Sequence, residues 1–275
     1  MKNILVIGNP TIDFVEGQYF GSGGPVVYVA NSLAKLGEKK INIVSSFGND
    51  FCVENFIDKS NIFILKSNLT NKFDFHFRSG VRNIYASEYG KKIKSTDIKL
   101  DKYPEIIYIS PVLNEFSINE TKSLINKYKN STFVGMPQGW IRKILSDEVK
   151  IDFSNIHHFP IFDILFFSEE EIMNSNFSLE NFKKLSKILV ITRGDKGASV
   201  YQGNASYDFH SKRVDAVSTI GAGDIFATVF SNKLLESKSI SYAAEAANHI
   251  AAKSTMFKGL KSINSGVFKL PKKNK

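Results

Sequence analysis

The 275-residue chain is poor in cysteine, in tryptophan and in long apolar runs. Its one cysteine, Cys52, cannot form an internal disulfide, so a reducing, cytoplasmic location is expected. No cationic residue neighbours Cys52 in sequence to activate it, and it reads as an inert thiol. No apolar run approaches the ~20 residues that cross a bilayer, so no membrane partner is expected. Met1-Lys2-Asn3 and the four apolar residues Ile4 to Ile7 fall short of a signal-peptide core, which needs ~7–15. No G-x-x-x-x-G-K-[ST] segment occurs, which excludes a P-loop kinase. Gly21-Ser22-Gly23-Gly24 lacks the spacing of a dinucleotide fingerprint and does not directly follow the first strand. His157 and His158 are adjacent, so in an extended segment their side chains diverge and a shared metal is not expected.

What the chain does hold is a globular composition: 43% hydrophobic residues, with 23 Phe and 10 Tyr to bury. The net charge is +9. It reflects either a solvated lysine-rich surface or an anionic ligand. The basic clusters are short, Lys91-Lys92-Lys94 and Lys269-Lys272-Lys273-Lys275, the second interrupted by Pro271. A nucleic-acid partner is therefore not expected; one would show as a steep salt dependence of binding.

Along the chain, apolar strands alternate with helices. Asn3–Gly8, Ile41–Val44, Ile106–Ile109, Thr132–Val134, Ile164–Phe167, Ile188–Ile191 and Ala198–Tyr201 read as strands. Val26–Leu36, Asn119–Lys129, Gly223–Leu235 and Tyr242–Thr255 read as helices, and Ser168 as the N-cap of another. The order predicts an α/β fold with a mainly parallel sheet. Phe73 to Phe77 instead alternates with period two, Ser79-Gly80 turns, and Asn83–Ala86 returns, which predicts an antiparallel hairpin. No repeat or linker divides the chain, so one domain, 1–275, is expected, with a β-lid insertion at about 72–90.

The chemistry concentrates in Thr219-Ile220-Gly221-Ala222-Gly223-Asp224. Glycines flanking an alanine let backbone amides crowd a ligand, and the following helix N-terminus favours negative charge. A carboxylate there would repel a phosphate. Asp224 is therefore either a helix cap or a base that takes a proton from an attacking hydroxyl.

Thr219 to Asp224 resembles the D-T-x-G-A-G-D signature of the ribokinase (PfkB) family of carbohydrate and nucleoside kinases. Gly23-Gly24-Pro25 through Ala30, Leu33 and Leu36-Gly37 resembles that family's G-G-x-x-x-N-x-A…L-G stretch. Ile191-Thr192-Arg193-Gly194-Asp195-Lys196-Gly197 resembles its nucleotide-side turn, and Ser168 to Glu171 its N-x-x-E. The resemblance runs from Ile4 to Gly259 and implies a three-layer αβα ribokinase-like fold with a small β lid. It implies an ATP- and Mg²⁺-using phosphotransferase acting on an alcohol of a sugar, polyol or nucleoside. Asp224 would be the base, with Gly221, Ala222 and Gly223 as the anion hole. Asp13, Gly23 and Gly24 would face the substrate. Ser168, Thr192, Gly194, Gly197 and Asn248 would border the nucleotide. Glu171 would arrange Mg²⁺, through water.

Four positions depart from the family pattern. Ser218 replaces the leading Asp, so activation by a monovalent cation is in doubt. Ser168 replaces an Asn, Tyr28 replaces the Asn of the first signature, and Met136 replaces the Asp of a D-P-Q-G-x-x-R stretch typical of compact archaeal and inositol-kinase-like members. Within that stretch Gln138 and Arg142 would bind the substrate, or Arg142 would lie on a helix surface. A catalytically impaired ligand-binding member of the fold is the first alternative function and a nucleic-acid-binding protein the second, and the molecule is expected as a monomer or a homodimer.

Overall fold

The computed structural model describes residues 2–56, 61–78 and 81–270. The turn expected at Ser79-Gly80, and Pro271, Lys272, Lys273 and Lys275 of the basic tail, lie outside the described residues. In chain order the strands are β1 (Ile4–Ile7), β2 (Thr11–Val15), β3 (Gln18–Gly23), β4 (Ile41–Phe47), β5 (Asn61–Lys66), β6 (Asn71–Arg78), β7 (Val81–Ala86), β8 (Ile106–Ile109), β9 (Thr132–Gly135), β10 (Arg142–Leu145), β11 (Glu148–Ile151), β12 (Phe162–Ser168), β13 (Ser186–Thr192), β14 (Ala198–Gln202) and β15 (Ala205–Phe209). The helices are α1 (Pro25–Lys35), α2 (Ile118–Lys127), α3 (Glu169–Met173), α4 (Leu179–Lys183), α5 (Ala222–Ser237) and α6 (Ile240–Ser254).

The large sheet has the order β15-β14-β13-β12-β9-β8-β1-β4-β5. It is parallel from β13 to β5, and β14 and β15 extend it antiparallel. Its inner strands are apolar at successive positions because both faces are covered. Ile4, Val6, Ile41, Ile43, Tyr108 and Phe166 pack toward α1, α5 and α6. Leu5, Ile7, Ile107, Ile109, Leu165 and Phe167 pack the other way, with Leu124 of α2 and Phe182 of α4. Helix, sheet, helix is the three-layer arrangement the sequence implied.

A second sheet has the order β10-β11-β7-β6-β2-β3 and is antiparallel except where β2 pairs with β6. Its core is the expected hairpin, with Phe73 opposite Ala86 and Phe75 opposite Ile84. The sheet is wider than the segment 72–90. It takes in β2 and β3, from a stretch where no strand was expected, and β10 and β11, from a stretch whose charges hid its strands. Arg142 therefore begins a strand and is not on a helix.

The C-terminal ends of β1, β4 and β8 are tied together by Glu115 and Asn9. Glu115 is 3% exposed. Its carboxylate accepts from the amides of Asn9 (2.8 Å), Val112 (2.9 Å) and Leu113 (2.8 Å). Asn9 in turn accepts from the Ser46 amide and donates to the Lys91 carbonyl. Open α/β sheets place their ligands at this end. We expect Glu115→Ala to leave three amides unpaired, two of them buried, and to cost about 3 kcal/mol in denaturant unfolding. A loss under ~1 kcal/mol would show that the knot does not hold these strand ends.

Candidate active site

The site begins with the entry to α5. Gly221, its N-cap, has φ 82°, and a Cβ built there would lie 2.3 Å from the Tyr28 ring. Only glycine fits both the dihedral and the contact. Nothing lies within 4 Å of a Cβ at Gly223, so that position is open. No side chain caps α5. Among the described residues the N–H groups of Gly221, Gly223 and Asp224 have no hydrogen-bond partner, whereas Ala222 donates to the Thr219 carbonyl at 3.2 Å. Of the three amides assigned to the anion hole, that of Ala222 is thus already engaged.

Asp224 lines a cavity of about 690 Å³. It lies in the first turn of its helix and is not the cap, which is Gly221. Burial pushes its carboxyl up to about 7, Arg142 pulls it down, and the charges of Glu171 and Asp13 add to the rise. Asp13, on β2, lines the same cavity and is 2% exposed. Burial raises it to about 7 as well, against the opposing pull of a 2.6 Å hydrogen bond from the Thr11 hydroxyl.

Tyr28 was expected only as a departure from a motif. Its side chain is 1% exposed, it lines the cavity, and its hydroxyl has no hydrogen-bond partner among the described residues. Burial and the charges of Asp13 and Asp224 all raise its pKa. The hydroxyl therefore stays protonated, a donor held near both acids.

Fourteen of the fifteen site residues expected from sequence line this one cavity: Asp13, Gly24, Gln138, Arg142, Ser168, Glu171, Thr192, Gly194, Gly197, Gly221, Ala222, Gly223, Asp224 and Asn248. Gly23 does not. It is buried behind Asp13, and a Cβ there would lie 1.9 Å from Asp13 Oδ2. Its role is to leave room for that carboxylate. Gln138 brings a buried Oε1 with no partner. Arg142 donates to the Val112 carbonyl at 3.4 Å and sits 5.6 Å over the Phe73 ring. Ser168 and Glu171 form a capping box on α3, at 2.8 and 3.1 Å. Asn248 donates to the Phe209 carbonyl at 3.3 Å, so it anchors the end of β15 as well as lining the cavity. Arg82, Phe75, Phe77 and Ile84 of the small sheet also line it and were missed. The period-two pattern of the hairpin was the available signal, since it puts Arg82 on the face of Ile84.

Among the described residues no cluster of three or more His, Cys, Asp or Glu could hold a metal unaided. Glu171 on this cavity does suit Mg²⁺, which takes one or two carboxylates and completes its shell with water and phosphate.

Residues 142–264 match the family model described as pfkB family carbohydrate kinase. This segment belongs to the pfkB family. It holds Arg142, Glu171 and the whole Gly221–Asp224 loop, and the carbohydrate kinases of that family transfer a phosphoryl group to a hydroxyl. No curated protein matches the chain by sequence. Among solved structures, a pyrophosphate-dependent kinase in the ribokinase family, complexed with a pyrophosphate analogue and myo-inositol, is similar over 93% of this chain and 96% of its own, with 19% identity and a TM-score of 0.77. A ribokinase from Thermotoga maritima is similar over 98% of each chain, with 21% identity and a TM-score of 0.73. A putative ribokinase II from E. coli, in complex with ATP and Mg²⁺, is similar over 96% of each chain, with 18% identity and a TM-score of 0.74. At these identities the likeness is one of fold, and the fold around the pfkB segment is ribokinase-like.

Two outcomes test this geometry. Gly221→Ala should lower stability by about 2 kcal/mol, since the methyl group meets both the Tyr28 ring and a positive φ; an unchanged melting temperature would refute the contact. Folded Asp224 keeps its proton up to about 7, while an unfolded aspartate releases it near 3.8. Its contribution to folding is complete below that lower value and is lost as pH rises through about 7. Asp224→Asn should therefore stabilise the ligand-free protein, by a margin that grows between those two pH values and then levels off. A constant or reversed margin in melts across that range would contradict the raised pKa.

Proposed function

We propose that the protein transfers a terminal phosphoryl group from a phosphorylated donor to a hydroxyl of a small polyhydroxylated acceptor. The observation that carries this is the position of Asp224. It sits in the first turn of α5, beside unpaired amides and on the same cavity as Asp13, and its pKa is about 7.

A base poised near neutral pH can take the proton of the attacking hydroxyl without being locked in either state. The acceptor oxygen forms the new bond to phosphorus as the bridging oxygen of the donor leaves with its electron pair. The attacking proton passes to Asp224. The amides of Gly221, Gly223 and Asp224 meet the charge on the transferred group, a preorganised stabilisation that requires no reorientation during the step. Asp13 accepts from a further hydroxyl of the acceptor, and the Tyr28 hydroxyl and the free Gln138 Oε1 offer a donor and an acceptor beside it. The small sheet acts as the lid, with Phe75, Phe77 and Ile84 excluding water from the reacting groups.

ATP is the donor we favour. The cavity continues past Thr192 and Gly194 to α6, where Ala251 and Ala252 line it with small side chains. Mg²⁺ would be held by Glu171, through water, and when bound it neutralises phosphate charge. The pyrophosphate-dependent relative makes pyrophosphate the second donor to test. Ser218 offers no charge for a monovalent cation, and its hydroxyl accepts from the Ile220 amide at 3.3 Å.

Turnover should appear with ATP or pyrophosphate when sugars, polyols and nucleosides are screened as acceptors. Asp224→Asn should lower kcat by ~10²–10⁴ with the fold intact; normal turnover in that variant would remove the assigned base. In the wild type kcat/KM should rise with pH, level off above about 7, and report Asp13 and Asp224 together because the two interact. A profile flat from pH 5 to 9 would oppose it.

A further inference from the structure

The small sheet brings one charged group to the cavity that the proposed chemistry leaves unused. In the β6–β7 register, Phe77 faces Arg82, Phe75 faces Ile84 and Phe73 faces Ala86. Alternation puts positions 82, 84 and 86 on one face of the strand. Ile84 and Ala86 are buried there against Phe73, Phe75 and Val112. Arg82 thus projects on the inner face, at the end of the hairpin where the apolar cover stops, and it lines the cavity. His76 and Tyr85 meet on the opposite face.

Arg142 reaches the same region from β10. Ile144, two residues on, packs against the same apolar cluster, so Arg142 shares its face. Its guanidinium is fixed by the Phe73 ring and the Val112 carbonyl, two neutral partners. Among the described residues the arginine in an ion pair is Arg193, with Asp208; neither Arg82 nor Arg142 has a carboxylate within ion-pair distance. Glu171, Asp224 and Glu115 act on Arg142 only at longer range, Arg82 acts on it as a like charge, and Arg82 itself acts at range on Glu171 and Asp224. Two guanidinium groups on one cavity, neither in direct contact with a carboxylate, keep donors open to an anion that comes between them. The fork of donors on each suits the planar face of a phosphate or carboxylate.

We propose that Arg82 and Arg142 together form an oxyanion site that binds one phosphate or carboxylate group in the cavity, apart from the amides at the start of α5. The anion is either the phosphoryl group in transfer or an acidic group carried by the acceptor itself. That choice rests on the phosphotransferase reading; the existence of the site does not.

The test uses Arg82→Gln and Arg82→Lys in the full chain. Arg82 is exposed on a strand, and both variants should melt within a degree or two of the wild type. Calorimetric titration with inorganic phosphate should show affinity falling about ten- to hundredfold in Arg82→Gln, with part recovered in Arg82→Lys. Kinetics then separate the sources. A rise in acceptor KM confined to acidic acceptors, such as a sugar acid or an inositol monophosphate, assigns the anion to the acceptor. A fall in kcat or a rise in donor KM with every acceptor, neutral myo-inositol included, assigns it to the transferred group. Should the wild type turn over no acceptor, the phosphotransferase reading fails and the titration alone decides the oxyanion site. Unchanged phosphate affinity in Arg82→Gln overturns the proposal.

Discussion

The contact between Gly221 and the Tyr28 ring governs the rest of the site. The ring fills the space where any side chain at Gly221 would go, and the positive φ of that glycine turns the chain into α5 with its first amides unpaired. A bulkier residue at 221 would need both another backbone conformation and another place for Tyr28. The open helix end, the position of Asp224 and the burial of the Tyr28 hydroxyl therefore follow from a single packing constraint between α1 and α5.

The same cavity stores unfavourable electrostatics. Asp13, Asp224 and Glu171 are all raised by burial, and the cation that partly compensates them, Arg142, is lowered by burial too. An interior arranged for stability alone would pair these groups directly or replace them with apolar ones. Here they stay apart around a space. Tight anchors such as Glu115, which pairs with main-chain amides, hold the strand ends that carry this cost.

Much of the large sheet was legible because its strands are buried on both faces and so read as unbroken apolar runs, as at Ile4–Ile7 and Ile188–Ile191. The loop ending in Asp224 was legible as a helix entry from its glycine spacing, but the residues alone left a cap and a base both open for Asp224. The small sheet was legible only in part. Its hairpin shows period-two alternation, but β10 and β11 carry Lys143, Glu148 and Lys150 on exposed or half-exposed positions and lack an apolar run. Arg142 could not be assigned without that strand, and Arg82 was passed over although its register with Ile84 was implicit in the alternation. Gly23 shows a different limit: the motif put it against the substrate, whereas the coordinates put it behind Asp13, where its missing side chain makes room for that carboxylate.

The small sheet is assembled from three separate stretches of chain, and each supplies one ionisable group to the cavity: Asp13 from β2, Arg82 from β7 and Arg142 from β10. Asp224 stands on a helix packed against the other sheet. On the function proposed above, recognition and proton removal are therefore built on separable frames. Mutations confined to the three stretches could exchange one acceptor for another over evolutionary time while the machinery for moving phosphorus stayed as it was.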